Sequence, residues 1–357
     1  MSGCMESAVP TLQGSPPWSE ALHETGCVSG ASSPLLVEVT RSGGVESWHE
    51  VDVAIVDVSG AVVSSWGEFG RPVLPRSAAK PLQALPLVTS GAADAFGLGN
   101  VELALACGSH DGEPLHVTAV EQWLHRINLT VDALACGVQR PLHDASMTAL
   151  VAAGLEPNAV HNNCSGKHAG FLTVCRHLDL PVGDYQMSDH RLQVDHVTPA
   201  LANWCGVDLA GQYPAVDGCG IPVWSLPLDR LAAGWASLGA STSEEPAGRL
   251  MGAMRSEPFH VAGSERACTR LIASCDGGVV VKTGAEGVFC AALPEDGMGL
   301  ALKVRDGAHR AAVAAIEWLL TSLGRYDGEV GEMIENRTGT TVGEVRVADG
   351  GTRPDRS

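Results

Sequence analysis

Lysine is scarce in this sequence, and several other features are missing altogether. Only four of its 23 basic side chains are lysines, namely Lys80, Lys167, Lys282 and Lys303. The formal net charge is −18 and no basic cluster occurs, so we expect no nucleic-acid partner. No apolar run reaches the length of about 18 residues that spans a membrane. The first thirty residues lack the basic start and apolar block of a secretory signal, so we predict a cytoplasmic protein.

Cysteine is frequent, but its distribution does not indicate a disulfide framework. The eleven cysteines are an odd number spread over 357 residues, without an export signal. Most therefore read as small buried apolar residues. Cys164 in "NNCSGKH" and Cys219 in "DGCGIP" differ, because both lie among glycine and polar residues.

The order of predicted elements indicates an α+β fold. Strand-like runs such as "VDVAIVDV" lie near both ends of the chain, and Ala/Leu-rich helical patterns fill the middle, with one helix predicted over Asp189–Trp204. Antiparallel strands from both ends can then join in one sheet beside a helical insertion. The predicted division is a flexible leader (1–33), a single catalytic unit (34–324) with sheet parts (34–76 and 276–324) around a helical part (77–275), and a weakly specified tail (325–357).

The scarce lysines occur in unusual surroundings, first in "PRSAAK". If a helix begins near Ser77, Lys80 lies one turn later on the same face. A serine hydroxyl needs a base to become a good nucleophile, and a lysine of lowered pKa can serve where an arginine cannot. The alternative is that Ser77 only caps the helix and Lys80 is solvated.

A second lysine motif strengthens the catalytic interpretation. Lys282 begins Lys-Thr-Gly on a predicted late strand, and Ser-x-x-Lys with a late Lys-Thr-Gly is typical of penicillin-recognising serine enzymes. Their third motif, Ser-Asp-Asn, is absent, since the nearest string is Ser188-Asp189-His190. We therefore do not expect a β-lactamase. The competing interpretation of Lys282 is a lysine that protects an edge strand.

Two further motifs bring thiols and polar groups together. "NNCSGKH" places Cys164 at a helix start with Lys167 one turn on, and "VDGCG" places Asp217 and Cys219 in a tight turn. From the residues alone, the two cysteines fit either a zinc site or buried, reactive thiols. His110 in "CGSHDGEPLH" fits a core or capping role as well as a functional one.

Five ordered motifs together resemble the rhizobial-type, or class 3, L-asparaginase family. They are "FGRPVLPRSAAKPLQALPLVTSGAADAFG", "CGSHDGEPLH", "NNCSGKHAGFL", "VDGCGIPVWSLPL" and "VKTGAEGVF", and the resemblance spans residues 34–324. It implies hydrolysis of L-asparagine to L-aspartate and ammonia, on a fold similar to serine β-lactamases and glutaminases. It also implies a homodimer.

The resemblance implies roles for individual residues. It pairs Ser77 with Lys80 and Ser109 with Lys282, and it implies a zinc ion held by Cys164, Lys167 and Cys219 that assists binding. A lysine that binds zinc must be neutral, which metal binding can enforce.

The substrate's two charged groups require residues of both signs. Asp217 is our candidate for the α-ammonium and Arg76 for the α-carboxylate, with His110 and Asn163 as further substrate-binding candidates. A surface ion pair is the alternative for Arg76. Other serine–lysine amidohydrolases, such as glutaminases or penicillin-interacting enzymes, and a non-catalytic zinc or thiol sensor are the competing functions.

Overall fold

The computed structural model of the protein describes residues 32–351. The predicted leader therefore lies outside the described residues, apart from its last two positions. The strands of the main sheet are β1 (Leu35–Arg41), β2 (Gly44–Asp57), β3 (Val62–Trp66), β4 (Val280–Thr283), β5 (Val288–Leu293), β6 (Met298–Val304), β7 (Glu332–Glu335) and β8 (Thr341–Val347).

Between β3 and β4 the chain is mostly helical. The described helices of eight or more residues are α1 (Asn100–Cys107), α2 (Pro114–Arg126), α3 (Asp144–Ala152), α4 (Ser165–His177), α5 (Thr198–Cys205), α6 (Leu228–Ala240), α7 (Pro246–Ser256), α8 (Ala267–Ser274) and α9 (His309–Ser322). Short helical turns cover Arg76–Ala79, Lys80–Gln83, Leu85–Thr89, Ala92–Ala95 and Pro258–Val261. None of the helices within 32–351 combines the length and apolar content needed to cross a bilayer.

The main sheet confirms the predicted α+β class. Its strands run in the order β7-β8-β1-β2-β6-β5-β4, with β3 also paired to β2, and all pairings are antiparallel. Strands from both ends of the chain therefore meet directly, as where Val53 of β2 lies opposite Leu302 of β6. The apolar run of β5 is buried along its whole length, which explains why its sequence does not alternate.

Two regions differ from the sequence-based expectation. The tail contributes β7 and β8, although Gly343 interrupts the apolar alternation there; pairing with β1 buries Val345 and Val347 and supplies the missing stability. The domain boundaries themselves stay a prediction. The single helix predicted over Asp189–Trp204 is instead a π-helical segment, Gln193–Val197, followed by α5. Pro199 lacks the N–H that regular helical bonding requires, and this accounts for the irregularity.

Helices pack closely on the sheet. In β6, a side chain on Gly299 would overlap the Ala232 carbonyl oxygen and the Ala236 backbone nitrogen of α6. On α9, Trp318 meets Trp66 of β3 edge to face, with ring centroids 6.1 Å apart. The absence of a side chain at position 299 is thus what allows α6 to approach the sheet.

We predict that Gly299→Ala lowers the free energy of unfolding by about 1–3 kcal/mol, because the added methyl forces α6 away from β6. Urea denaturation monitored by circular dichroism would measure the change. The matched control is Gly252→Ala in α7, where an added Cβ meets nothing within 4 Å. There we expect no loss, because alanine favours helix. Equal stability of both variants would contradict the close packing at Gly299.

Candidate active site

Ser77 lies in a short 3₁₀ turn that leads into the helical residues around Lys80. The turn spans Arg76–Ala79, and Lys80 follows it as the first residue of the next helix. Arg76 has a φ of +50°, a left-handed conformation that non-glycine residues rarely adopt. Such backbone strain is concentrated at functional sites, where the surrounding structure enforces it. The strained residue here immediately precedes the candidate nucleophile.

The Lys-Thr-Gly segment of β4 packs directly against this turn. A Cβ on Gly284 would lie 2.6 Å from the Pro75 carbonyl oxygen and 3.2 Å from the Ala78 nitrogen. Only glycine permits this approach. The contact brings Lys282, two residues earlier on the strand, to the same side of the molecule as Ser77 and Lys80.

Lys80 is fully buried and is held by three oxygen atoms. Its Nζ donates to the Gly108 carbonyl and, at 3.2 Å, to the Asn163 carbonyl, and it lies 2.9 Å from Ser109 Oγ. The sequence spacing predicted a Ser77–Lys80 pair. The Lys80 backbone N–H donates to the Ser77 carbonyl, but among residues 32–351 the hydrogen bonds of the Lys80 amine do not include the Ser77 hydroxyl. The lysine therefore contacts the serine of the other predicted pair.

Ser109 Oγ joins the two buried lysines. Lys282 Nζ also lies 2.9 Å from Ser109 Oγ, and it donates to the Thr283 carbonyl at 2.7 Å. Two of the partners of Lys80 are carbonyls, which only accept, whereas a hydroxyl can donate as well as accept. A neutral Lys80 can therefore accept the Ser109 proton while Lys282 donates to the same oxygen. The three groups form a continuous path for a proton.

Burial makes the ammonium groups of both lysines easier to deprotonate than usual. Burial is the largest effect on Lys80 and lowers its pKa below 10.5, with Cys164 opposing and Lys167 adding to the decrease. Burial likewise lowers the pKa of Lys282 to about 7. A lysine with such a pKa can act as a general base near neutral pH.

A cavity of about 520 Å³ opens beside these groups. Its lining residues include both candidate serines and the end of β4: Ser77, Ser109, Leu142, Asn163, Arg266, Thr283, Gly284, Ala285, Glu286, Gly287 and His309. Perturbed lysines next to serines in a concave site are the features expected of an active site.

The structure separates the four predicted substrate-binding residues. Asn163 lines the cavity. Arg76 and Asp217 are paired with each other, Nε to Oδ1 at 2.7 Å, and neither is among the lining residues. His110 is fully buried; Gly112 N–H donates to its Nδ1, and its Nε2 lies 2.8 Å from Ser165 Oγ. Burial lowers the pKa of His110, so it is a neutral residue of the interior.

The sequence analysis missed the three lining residues with titratable side chains, Arg266, Glu286 and His309. Glu286 lies inside the quoted motif "VKTGAEGVF", so its proximity to Lys282 was a usable signal. Arg266 and His309 carry no such signal. Arg266 immediately precedes α8 and His309 is the first residue of α9, and neither helix start contains a recognisable motif. Tertiary packing alone brings them to the cavity.

Cys164, Lys167 and Cys219 meet in the interior next to Lys80. Lys167 Nζ donates to Cys219 Sγ at 3.0 Å, and the two thiols lie within hydrogen-bond reach of each other. The hydrogen bond from Cys219 lowers the pKa of Cys164 and, in return, raises that of Cys219. Burial acts to lower the pKa of Lys167, but the two thiols outweigh it and raise the pKa. Cys164 therefore loses its proton more easily than an ordinary thiol and Cys219 less easily, beside a lysine that holds its proton more firmly.

These three side chains fit the predicted zinc site in donor chemistry. Thiolates and a neutral amine are ligands that zinc accepts, and all three groups are almost completely buried. Within residues 32–351 no group of three or more His, Cys, Asp or Glu side chains could hold a metal. The site of Cys164, Lys167 and Cys219 has only two side chains of those types. Its third member is a lysine, which must lose its proton on binding a metal.

The lowered pKa of Lys282 predicts a pH dependence of stability. Between pH 7 and 10.5 the unfolded chain carries a proton on Lys282 that the folded chain has released, so the free energy of unfolding rises with pH across this window. Lys282→Met removes this contribution. Urea titrations of both proteins at several pH values should therefore show that the free energy of unfolding of the wild type, minus that of the variant, rises with pH. Parallel curves would show that Lys282 titrates normally.

Comparison with known proteins places these features in context. A model of the L-asparaginase II family matches residues 37–348. None of the curated proteins compared matches the chain. Similar solved structures include Mglu in its native form, 14% identical over 89% of this chain and 77% of Mglu, with a TM-score of 0.46. In a second Mglu structure the chain spans 66% of that protein, with 15% identity.

Two other similar structures are a simvastatin synthase mutant from Aspergillus terreus and a β-lactamase from Mycobacterium bovis. The synthase is 12% identical, and the match covers 71% of this chain and 86% of the synthase. The β-lactamase is 14% identical, and the match covers 76% of this chain and 94% of the β-lactamase. Both TM-scores are 0.35. With TM-scores below 0.5, these similarities assign neither substrate nor mechanism. The family model does cover most of the sequence, so the chain belongs to the L-asparaginase II family and is an amidohydrolase, an enzyme that acts on amides.

Proposed function

We propose that the protein hydrolyses the side-chain amide of L-asparagine to L-aspartate and ammonia, with Ser77 as the nucleophile. The observation that carries the proposal is the chain Lys80–Ser109–Lys282, whose central oxygen lies 2.9 Å from both amines and lines the cavity that Ser77 also lines. Amide hydrolysis needs a nucleophile and a route that carries protons in both directions. This cavity supplies both.

Ser77 is better placed than Ser109 to attack. Ser109 Oγ is nearly buried and already engaged by two lysines. Ser77 is only half-buried, and within the described part of the chain its hydroxyl has no hydrogen-bond partner. It is therefore available to a substrate in the cavity. We assign Ser109 to the transfer of protons between Lys80 and Lys282.

The reaction follows in two balanced stages. Ser77 Oγ forms a bond to the amide carbon, and its proton enters the Lys80–Ser109–Lys282 network. Backbone N–H groups, Ser77's own among them, stabilise the oxyanion. The network then protonates the amide nitrogen, and the C–N bond breaks. Ammonia departs, and an aspartyl ester remains on Ser77 Oγ. Water attacks this ester, gives one proton to the same network, and the network returns it to Ser77 Oγ as aspartate departs.

We further propose that Cys164, Lys167 and Cys219 hold zinc. The ion would supply positive charge that favours substrate binding next to the catalytic lysines. The Cys164–Cys219 contact and the lowered pKa of Cys164 support this assignment, because zinc binds the thiolate form of cysteine. The homodimer and the cytoplasmic location stay predictions.

We predict that Ser77→Ala reduces ammonia release from asparagine by at least about 10³-fold while the protein stays folded, because it removes the hydroxyl that we assign to form the ester. A coupled ammonia assay and a thermal melt would measure both effects. The matched control is Ser243→Ala at an exposed position, for which we expect wild-type rates.

Two companion variants separate the roles of the neighbouring groups. Lys80→Arg keeps the charge but not the basicity, so it should be nearly as damaging as Ser77→Ala. Ser109→Ala keeps the nucleophile, so intact-protein mass spectrometry should still detect a slowly formed aspartyl adduct on Ser77. An adduct mapped to Ser109 in the wild type, or normal turnover by Ser77→Ala, would refute the assignment of the nucleophile.

The zinc proposal predicts that Cys219→Ser loses bound metal and raises KM more than it lowers kcat, because the ion assists binding. Elemental analysis of purified protein measures zinc per chain independently of activity. Cys275→Ser, at a half-buried position outside the cluster, is the matched control and should keep its zinc. Native protein without zinc would refute this proposal and leave the serine–lysine chemistry intact.

A further inference from the structure

The cavity wall carries one guanidinium and one carboxylate that the catalytic steps leave without a role. They belong to Arg266 and Glu286. His309 also lines the cavity, but burial, together with Arg266 and Lys282, lowers its pKa, so the imidazole is neutral near pH 7. Among the described lining residues, Arg266 and Glu286 are thus the two that carry opposite full charges.

Arg266 is anchored through one end of its guanidinium and free at the other. Its Nη1 donates to Asp111 Oδ1, and Asp111 is nearly buried. A guanidinium has five N–H donors, and among residues 32–351 no other hydrogen bond of this group occurs. Its side chain is 26% exposed, and Arg266 lines this cavity and a neighbouring pocket. The remaining donors have the fork geometry that matches a carboxylate.

Glu286 is fixed by its backbone and unpaired at its carboxylate. Its φ is +58°, and its carbonyl oxygen accepts from Lys303 Nζ at 2.6 Å. Its carboxylate makes no ion pair within 4.0 Å of a described residue, although it attracts the Lys303 ammonium electrostatically. A glutamate held in the left-handed conformation costs free energy, and such strain is concentrated at functional positions.

We propose that Arg266 binds the α-carboxylate of the substrate and Glu286 binds its α-ammonium. The inference rests on the proposed asparagine hydrolysis and specifies the substrate class as ω-amides of α-amino acids. It replaces the sequence-based candidates Arg76 and Asp217, which neutralise each other at 2.7 Å outside the cavity lining. The amide then lies in the cavity that Ser77 also lines.

Two truncated substrates test each contact separately. 3-Aminopropanamide is asparagine without its α-carboxylate, and succinamate is asparagine without its α-ammonium. The assay measures kcat/KM for ammonia release from these two compounds, asparagine and glutamine, with the wild type, Arg266→Gln and Glu286→Gln. Each lost charged contact should cost about 10- to 150-fold.

The expected result is a crossed pattern. Arg266→Gln should lose activity on asparagine and succinamate but not on 3-aminopropanamide, which has no carboxylate to bind. Glu286→Gln should lose activity on asparagine and 3-aminopropanamide but not on succinamate. A uniform loss on all substrates would overturn the proposal, because it would indicate a general structural or catalytic role. A selective loss in Arg76→Gln instead would restore the earlier candidate and also overturn it.

Conservative and distant variants guard against misfolding. Arg266→Lys and Glu286→Asp keep the charge, so they should recover part of the asparagine activity. Arg249→Gln removes a half-buried arginine outside the cavity that pairs with Asp94 at 2.8 Å, and it should behave as wild type. Lack of recovery in both conservative variants, with melting curves like the wild type's, would count against charge recognition.

Calorimetric titration with L-aspartate separates this proposal from the proposed function. Wild-type protein that releases no ammonia from asparagine would refute the function. Binding of aspartate that is weakened by Arg266→Gln and by Glu286→Gln would still support the recognition site. Aspartate affinity equal in all three proteins, or absent in the wild type, would overturn the site whatever the activity.

Discussion

The arrangement of this molecule depends on two buried lysines that share one serine oxygen. Lys80 and Lys282 both lie 2.9 Å from Ser109 Oγ, and both are fully buried. Two ammonium groups so close together repel each other and lose their hydration. Burial therefore lowers the pKa of both amines, that of Lys282 to about 7. The same burial that is unfavourable for an ammonium group is what we propose makes a base available near neutral pH.

Rigid surroundings offset the free-energy cost of burying the two lysines. Carbonyl groups of Gly108, Asn163 and Thr283 accept from the two amines, so neither is left without partners. The antiparallel sheet fixes Lys282, because β4 pairs along its length with β5. The close contact of Gly284 with Pro75 then sets the distance between sheet and helical turn. The lowered pKa values of the two lysines result from packing, because an exposed lysine would keep its proton.

Charge is distributed in distinct layers around the proposed site. The lysine pair and the thiol cluster lie behind the cavity wall, whereas Arg266 and Glu286 lie on it. We assign proton exchange and metal binding to the groups behind the wall, and substrate recognition to the groups on it. The Arg76–Asp217 pair lies close to the thiol cluster, because Asp217 interacts electrostatically with Lys167.

The sequence by itself determined the α+β class, most helices, and the motifs around Ser77, Lys80, Ser109 and Lys282, because hydrophobic periodicity and short motifs are local properties. It also indicated that Cys164, Lys167 and Cys219 belong together. It could not show that the Lys80 amine bonds to the Ser109 hydroxyl, that Arg76 is paired to Asp217, or that His110 is buried. Nor could it bring Arg266 to the cavity or the tail into the sheet. Those outcomes are set by contacts between residues far apart in the chain, and only tertiary packing fixes such distances.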